Sequence, residues 1–499
     1  MKRAILRVIL FSGLAQGVGF FKSILIAFYF GVSPRLDGYY LSQVLPAFGV
    51  GIVTALIQAG LIPLDARLSA EGREIERFRV RGAIFWLVFF VGGFLAVMTA
   101  LTAPWLVWLL SHEASPEVQA AAVESLRVLA CLLFINSLAD YLGLVLNADM
   151  RFSIPALAPA ANAAVGLTIL QLWPEYGLTN LIWGTLAGVV AQLVIVSGAL
   201  GTERICYRLA RSEMPLASLY QVASQALAIF PGVLTANLSA ALPQVLAARF
   251  GDGAVSTMGY ALRIHGAVTQ VLVMAVSTVL LPHFSALVAG QQWRELGQKL
   301  EIIWFNVLWV GLMLPLGVGL VGLDAVHLVF GRGLFDAEAE MSVYRVWWWL
   351  SFALLPMLWA VVLAKLLQGL SKSGLLSWLS LLGLIALLAA GNLLGQVLAV
   401  NGVAIAIALS YGVVAVACHA VLMRVGRDCP GLKPALLKQT LWTAAAVAVL
   451  AGAGIWISWS MKNAEGITRM LLLAAALGVG GFGSYRGLSA GLELRVTTR

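Results

Sequence analysis

Charge is what this sequence has least of. Only 11% of its 499 residues are Asp, Glu, Lys or Arg, against about a quarter in a soluble protein. Hydrophobic residues make up 61%, and the mean hydropathy is +0.93. That balance excludes a soluble globular enzyme. Cysteine is also scarce. Cys131, Cys206, Cys418 and Cys429 form no C-x-x-C pair, so neither a disulfide framework nor a thiolate metal site is expected. The five histidines show no ligand spacing, and no metal is expected. There is no P-loop, GxSxG, HExxH or Rossmann fingerprint, and no polar segment long enough for a nucleotide domain. An ATP-driven pump and an enzyme are both set aside. The opening MKRAILRVILFSGLAQGVGFF is basic and then apolar, but no A-x-A site follows and the apolar run is too long for a signal peptide.

What is present is a series of apolar runs long enough to cross a bilayer. Fourteen candidate helices fall near 5–31, 37–64, 82–110, 120–147, 153–173, 178–200, 217–249, 255–285, 302–330, 341–369, 375–398, 403–423, 437–460 and 468–486. The expected class is an all-α polytopic membrane protein. Basic residues concentrate in alternate connections: Arg67, Arg73, Arg77, Arg79 and Arg81; Arg151; Arg204, Arg208 and Arg211; Arg294 and Lys299; Lys372; Arg424, Arg427, Lys433 and Lys438. Arg35, Arg332, Lys462 and Arg469 are the few on the other side. The positive-inside rule then puts both termini in the cytoplasm. It also explains the net charge of +9 without a nucleic-acid partner.

The chain carries a duplication. LIPLDARLSAEGREIERF from Leu61 resembles LLPHFSALVAGQQWREL from Leu280, 219 residues on. AFYFGVSPRLDGYY from Ala27 resembles AARFGDGAVSTMGY from Ala247, offset 220. LVLNADMRFS from Leu144 resembles KLLQGLSKSG from Lys365, offset 221. Spans 1–6 and 7–12 therefore read as parallel repeats with spans 13–14 appended. The expected domains are 1–215, 216–435 and 436–499. Parallel repeats around an axis along the membrane normal are transporter architecture, with the substrate between them.

A few polar groups lie inside the spans, where they normally face a bundle interior or water. Glu124 and Arg127, at i and i+3, are spaced to pair on one helix face. Arg345 and Lys365 lie near span ends and can snorkel. Lys22 and Arg263 have no acid at i±3 or i±4. Two such cations, one per lobe, suit an anion, and the arginine fork suits phosphate. Glycines at 13, 17 and 19 and prolines at 46, 231 and 243 are candidate bending points.

These residues carry a resemblance. LNADMRFSIPALAP from Leu146, STMGYALRIHGAVTQVLVMAVSTVLLPHFSAL from Ser256, and FFKSILIAFYFGVSPRLDGYYLSQVLP from Phe20 are similar to the MurJ (MviN) family of lipid II flippases, within the multidrug/oligosaccharidyl-lipid/polysaccharide exporter superfamily. The resemblance implies a flippase moving an undecaprenyl-diphosphate-linked saccharide from the inner to the outer leaflet of a bacterial cytoplasmic (inner) membrane by alternating access. It implies a central cavity of arginines, and a lipid-tail groove at spans 13–14. By position, Arg263 matches a cavity arginine, Lys22 stands where another is usual, and Asp37 matches an acid at the start of span 2. Gln16 and Val50 replace arginines, and Ser23 and Leu262 replace aspartates. The implied site is therefore Lys22, Arg263, Gln16 and Asp37, with Asp140, Arg345 and Lys365 as secondary or gating candidates. No cofactor is implied beyond a coupling ion or the membrane potential. The implied partners are the polyprenyl-diphosphate-linked saccharide, the lipid bilayer, and cell-wall or polysaccharide assembly proteins. The less charged cavity also fits an exopolysaccharide or O-antigen unit. A multidrug exporter and an inactive membrane scaffold are the readings from other classes.

Overall fold

A computed structural model of the chain describes residues 2–201, 216–372 and 374–425. Spans 13 and 14, the domain 436–499, Cys206 and Cys429 lie outside the described residues. Among those described there are helices and no strands. Twelve segments are long and apolar enough to cross a membrane, matching the first twelve runs of the sequence.

The helices are α1 (Lys2–Phe30), α2 (Pro34–Ala70), α3 (Glu74–Leu101), α4 (Ala103–Ser111), α5 (Pro116–Leu129), α6 (Cys131–Ala148), α7 (Ser153–Leu172), α8 (Gly177–Leu200), α9 (Leu216–Ala247), α10 (Ala254–Ala289), α11 (Trp293–Phe330), α12 (Ala337–Ser351), α13 (Leu354–Gly369), α14 (Gly374–Leu398) and α15 (Val400–Val425). Three runs expected to be single helices are broken. Span 3 stops at Thr102, because Pro104 in the first turn of α4 cannot continue a helix. Span 4 divides at Ala130 into α5 and α6. Span 10 divides between Ser351 and Leu354 into α12 and α13. Glu124 and Arg127 consequently sit on α5, exposed, and the expected pair between them does not form.

The duplication is written in the backbone. Left-handed residues recur in register: Gly31 (φ 55) and Gly251 (φ 99), Gly72 (φ 71) and Gln291 (φ 53), Met150 (φ 60) and Ser371 (φ 59), Gly177 (φ 53) and Ala399 (φ 50). The helix stops are equivalent too. Arg73 N–H bonds the Leu68 carbonyl as Gln292 N–H bonds Leu287, and Arg151 bonds Leu146 as Lys372 bonds Leu367. These are long-range C-terminal caps that satisfy orphan carbonyls. Spans 4 and 10, equivalent in the repeats, both divide.

By packing, the described chain forms two compact units. One comprises Met1–Tyr260 with Phe330–Ala339, and the other Ala261–Val329 with the described part of Glu340–Arg499. The first is built around the C-terminal part of α2, the N-terminal half of α3 and α6, with Leu61, Leu64, Leu68, Val80, Ile84, Tyr141, Leu142 and Val145 buried. The second is built around α10, α11, α13 and α15, with Phe284, Leu296, Leu300, Trp304, Leu363, Leu366 and Cys418 buried.

Candidate functional site

In the first unit α1 brings Gln16 and Lys22. Gln16 is exposed. A side chain added at Gly13, Gly17 or Gly19 would meet only open space, so this face of α1 is unobstructed. Lys22 turns the other way. Its Nζ lies 3.2 Å from the Thr185 hydroxyl on α8, which is 2.7 Å from the Tyr39 hydroxyl on α2. The ammonium reaches the crossing of α7 and α8, where Gly166 and Gly184 let the backbones meet. A Cβ at Gly166 would sit 3.0 Å from Lys22 Nζ and 3.2 Å from the Gly184 carbonyl. Lys22 therefore ties α1 to α2 and α8 inside its own unit.

Asp37 is 1% exposed, and its Oδ1 accepts the Ser256 backbone N–H at 2.6 Å. Ser256 belongs to the first turn of α10, so the carboxylate caps that helix, compensating orphan N–H groups and the positive end of the dipole. Tyr260 stacks edge-on against Tyr40, its counterpart in the repeat, at 6.1 Å, and donates to the Gly31 carbonyl at 3.0 Å.

Asp140 lies midway along α6, and its Oδ2 accepts from the Thr54 hydroxyl of α2 at 3.0 Å. That is its one polar partner among the described residues.

In the second unit Arg263 is exposed in the third turn of α10 and makes no hydrogen bond or ion pair among the described residues. His265, two residues on, is 7% exposed with Nδ1 unbonded. Arg345 on α12 is exposed and unpaired among the described residues. Lys365 donates to its neighbour Gln368 at 3.3 Å. Lys22 and Asp37 belong to the first unit and Arg263 to the second.

The largest polar assembly is one the sequence reading treats as loop charge. Arg81, 0% exposed, donates to Asp65 through Nε (2.7 Å) and Nη2 (2.8 Å), and to Asp149 at 2.9 Å. Arg77 donates to Asp65 at 3.0 Å and to Asp149 at 2.8 Å. Two arginines and two aspartates thus form a buried cluster joining α2, α3 and the end of α6, and the half-exposed Glu74 pairs with Arg77 at its edge. The signal available was the i, i+4 spacing of Arg77 and Arg81 with two isolated acids. Their equivalents in the second repeat are Leu296 and Leu300, Phe284 for Asp65 and Leu370 for Asp149, all in or against that unit's apolar core.

Among the described residues no group of three His, Cys, Asp or Glu side chains could hold a metal ion. The exposed guanidinium of Arg263 has the chemistry to bind an anion.

The family described as lipid II flippase MurJ matches residues 26–476. A protein of Synechocystis sp. named as a lipid II flippase MurJ is 26% identical over 349 residues, 66% of this chain and 64% of its own length. The lipid II flippase MurJ of Burkholderia cenocepacia is 27% identical over 362 residues, covering 69% of this chain and 68% of its own. The match with the Synechocystis protein thus spans less than two thirds of that relative. Among solved structures, a lipid II flippase MurJ in an inward closed conformation superposes with a TM-score of 0.75 at 16% identity, covering 96% of this chain and 99% of its own. That likeness shows a shared fold.

Proposed function

This chain belongs to the lipid II flippase MurJ family, and from that premise we propose that it is a transporter that moves a polyprenyl-diphosphate-linked saccharide of the lipid II type across the bacterial inner membrane. It works by alternating access, with both termini in the cytoplasm. Arg263 carries the reading. An arginine three turns into a spanning helix, exposed and with no acid or carbonyl engaging it among the described residues, is costly in hydrocarbon. It is accounted for if water or an anionic ligand meets it. Its planar fork presents paired donors to phosphate oxygens and stays charged at physiological pH. A diphosphate is the group on such a lipid that fits it. Lys22 and Asp37, held by Thr185 and by the Ser256 amide, brace the helices of their own unit. Cell-wall or polysaccharide assembly proteins would supply and consume the substrate, and the membrane potential or an ion gradient would drive the cycle.

The test is complementation of a bacterium depleted of its essential flippase, together with translocation of a lipid-linked saccharide by the reconstituted full chain. Arg263→Lys keeps the charge and loses the fork, so partial activity is expected. Arg263→Ala removes a charge-assisted bond of about 1.5–3 kcal/mol, so substrate affinity should fall about ten-fold or more at unchanged membrane level. Full activity in Arg263→Ala would assign the arginine to the scaffold. Rescue by an exopolysaccharide unit and not by lipid II would redirect the substrate.

A further inference from the structure

We propose that Asp140 is a proton-binding site whose protonation is coupled to the transport cycle, with Thr54 as its positioning partner. The pair joins two spanning helices, α6 and α2, at mid-depth of α6. It is under-satisfied. One neutral hydroxyl at 3.0 Å is the only polar group engaging the carboxylate among the described residues, and an ionised carboxylate in a span needs a cation or several donors.

The charges on the helices packed against α6 are engaged elsewhere or face outward. On α2, Asp37 caps α10, Asp65 holds Arg77 and Arg81, Arg67 reaches Gln221 and Glu71, and Arg35 pairs with Glu117 of α5. On α3, Glu74 pairs with Arg77, and Glu76 with Ser218 and Arg73. Arg79 has a partner of its own. Glu124 and Arg127 of α5 are exposed, and α7 and α8 carry no charged residue. Of the tyrosines, Tyr141 donates to the Arg81 carbonyl, Tyr39 bonds Thr185 and Tyr40 stacks on Tyr260.

The fold does not demand a polar pair here. The residue equivalent to Asp140 in the second repeat is Val361, and Val273 and Met274 flank the position equivalent to Thr54. Val273 packs against that unit's apolar core. A polar substitution present in one copy of a duplicated scaffold, without the partners that would neutralise it, breaks a local rule with no structural return.

The ligand is a proton and not a metal cation. Two carboxylate oxygens and one hydroxyl are too few for a hard cation that takes about six oxygens. The step is a simple protonation. The carboxylate accepts one proton from water, becomes a neutral acid, and later returns that proton to water. Only an O–H bond forms and breaks. In the charged form Thr54 donates to the carboxylate. In the neutral form the acid O–H can donate to the Thr54 oxygen, so the bond between α2 and α6 reverses direction.

The coupling half of this proposal rests on the transport reading above, whereas the proton-binding half does not. The full chain is reconstituted in liposomes as the parent, as Asp140→Asn, and as the double variant Asp140→Val with Thr54→Val, which copies the apolar character of the second repeat and so guards against misfolding. Infrared difference spectra across a pH titration should show a carboxylic-acid carbonyl band in the parent that both variants lack. If the same titrating band persists in both variants, or the parent shows none, proton binding at Asp140 is refuted. Translocation of a lipid-linked saccharide should accelerate when a proton gradient is imposed on the parent. One pH unit biases a single-proton step by up to about ten-fold. The variants should lose that response, so that each translocates at the same rate with and without the gradient. A retained response in the double variant, or a response of the parent to sodium and not to protons, overturns the coupling. A parent that moves no lipid-linked saccharide defeats the substrate reading, and the infrared result then decides proton binding alone.

Discussion

Removing Asp65 should unsettle this protein more than removing the entire cluster around it. Asp65 is 2% exposed and accepts three charge-assisted bonds, from Arg77 Nε at 3.0 Å and from Arg81 Nε and Nη2 at 2.7 and 2.8 Å. Asp65→Ala leaves two buried guanidinium groups with one buried carboxylate, Asp149; the remaining acid, Glu74 against Arg77, is half-exposed and screened by solvent. Breaking a buried pair in this way costs about 3–5 kcal/mol, because the residual charge is uncompensated. At roughly 2–4 °C per kcal/mol for a unit of this size, the apparent melting temperature should fall by about 6–20 °C. The fourfold replacement Asp65→Phe, Arg77→Leu, Arg81→Leu and Asp149→Leu leaves no stranded charge. It installs the side chains that occupy these positions in the second repeat, where Phe284, Leu296 and Leu300 are 0% exposed. Apolar replacement of a whole buried ionic set is often neutral or stabilising. The Tyr141 hydroxyl bond goes to the Arg81 backbone carbonyl, so it survives the change. Two side chains grow and two shrink, which limits overpacking. The assay is thermal loss of the monodisperse peak of the detergent-solubilised full chain. If the fourfold variant melts below Asp65→Ala, or if Asp65→Ala melts with the parent, the ionic cluster is not the electrostatic closure described.

Two further outcomes follow from the same geometry. In a cysteine-free background, an impermeant reagent added from outside should label a cysteine at Glu113, exposed ahead of α5, and miss one at Ser69, exposed at the end of α2; the reverse pattern would invert the topology. Lys22→Met and Thr185→Val should each destabilise the chain by about 0.5–1.5 kcal/mol, and the double variant by less than their sum, because one hydrogen bond joins them; strict additivity in the melting temperatures would show that Lys22 does not tie α1 to α8.

The long apolar runs carried the span count over the described residues, because a membrane span satisfies every backbone group internally and so announces itself by composition. The interruptions were harder to see. Hydropathy stays high through Thr102 and Phe352, whereas it falls in α5 before Ala130, and the punctuation resides in single residues such as Pro104. The repeats were visible as short matches because their helix stops need the same left-handed residue. The second copy has Gln291 and Ala399 where the first has Gly72 and Gly177, and Ser371 where the first has Met150, which is why the likeness is short. The buried cluster escaped because its parts come from three places in the chain, at Asp65, Arg77 with Arg81, and Asp149. Basic residues there satisfy the positive-inside pattern equally well whether solvated or buried. Asp37 shows the limit of position alone. The resemblance lends it to a cavity, and its carboxylate is committed to the first turn of α10.

A duplicated chain contains its own control. Where one copy is polar and the other apolar on equivalent backbone, the scaffold has been shown to tolerate either, so the polar choice needs another reason. Lys22 faces Leu242 in this comparison, the Asp65 cluster faces Phe284 and three leucines, and Asp140 faces Val361. Satisfaction then separates the cases. Every charge in the Asp65 cluster is bonded, with Glu74 pairing Arg77 at its edge, so cohesion of α2, α3 and α6 accounts for it. Lys22 has hydroxyl partners in Thr185 and, through it, Tyr39, so it serves at least to join helices. Asp140 has one neutral donor. Arg263 has no partner among the described residues. A charged group kept in a span without the partners that would stabilise it there costs free energy in the resting state, and that cost is recovered only when something arrives to bind it. Arg263, Arg345 and Asp140 are thus left without an ionic partner among the described residues, and on the readings proposed above an anion completes Arg263 and a proton completes Asp140.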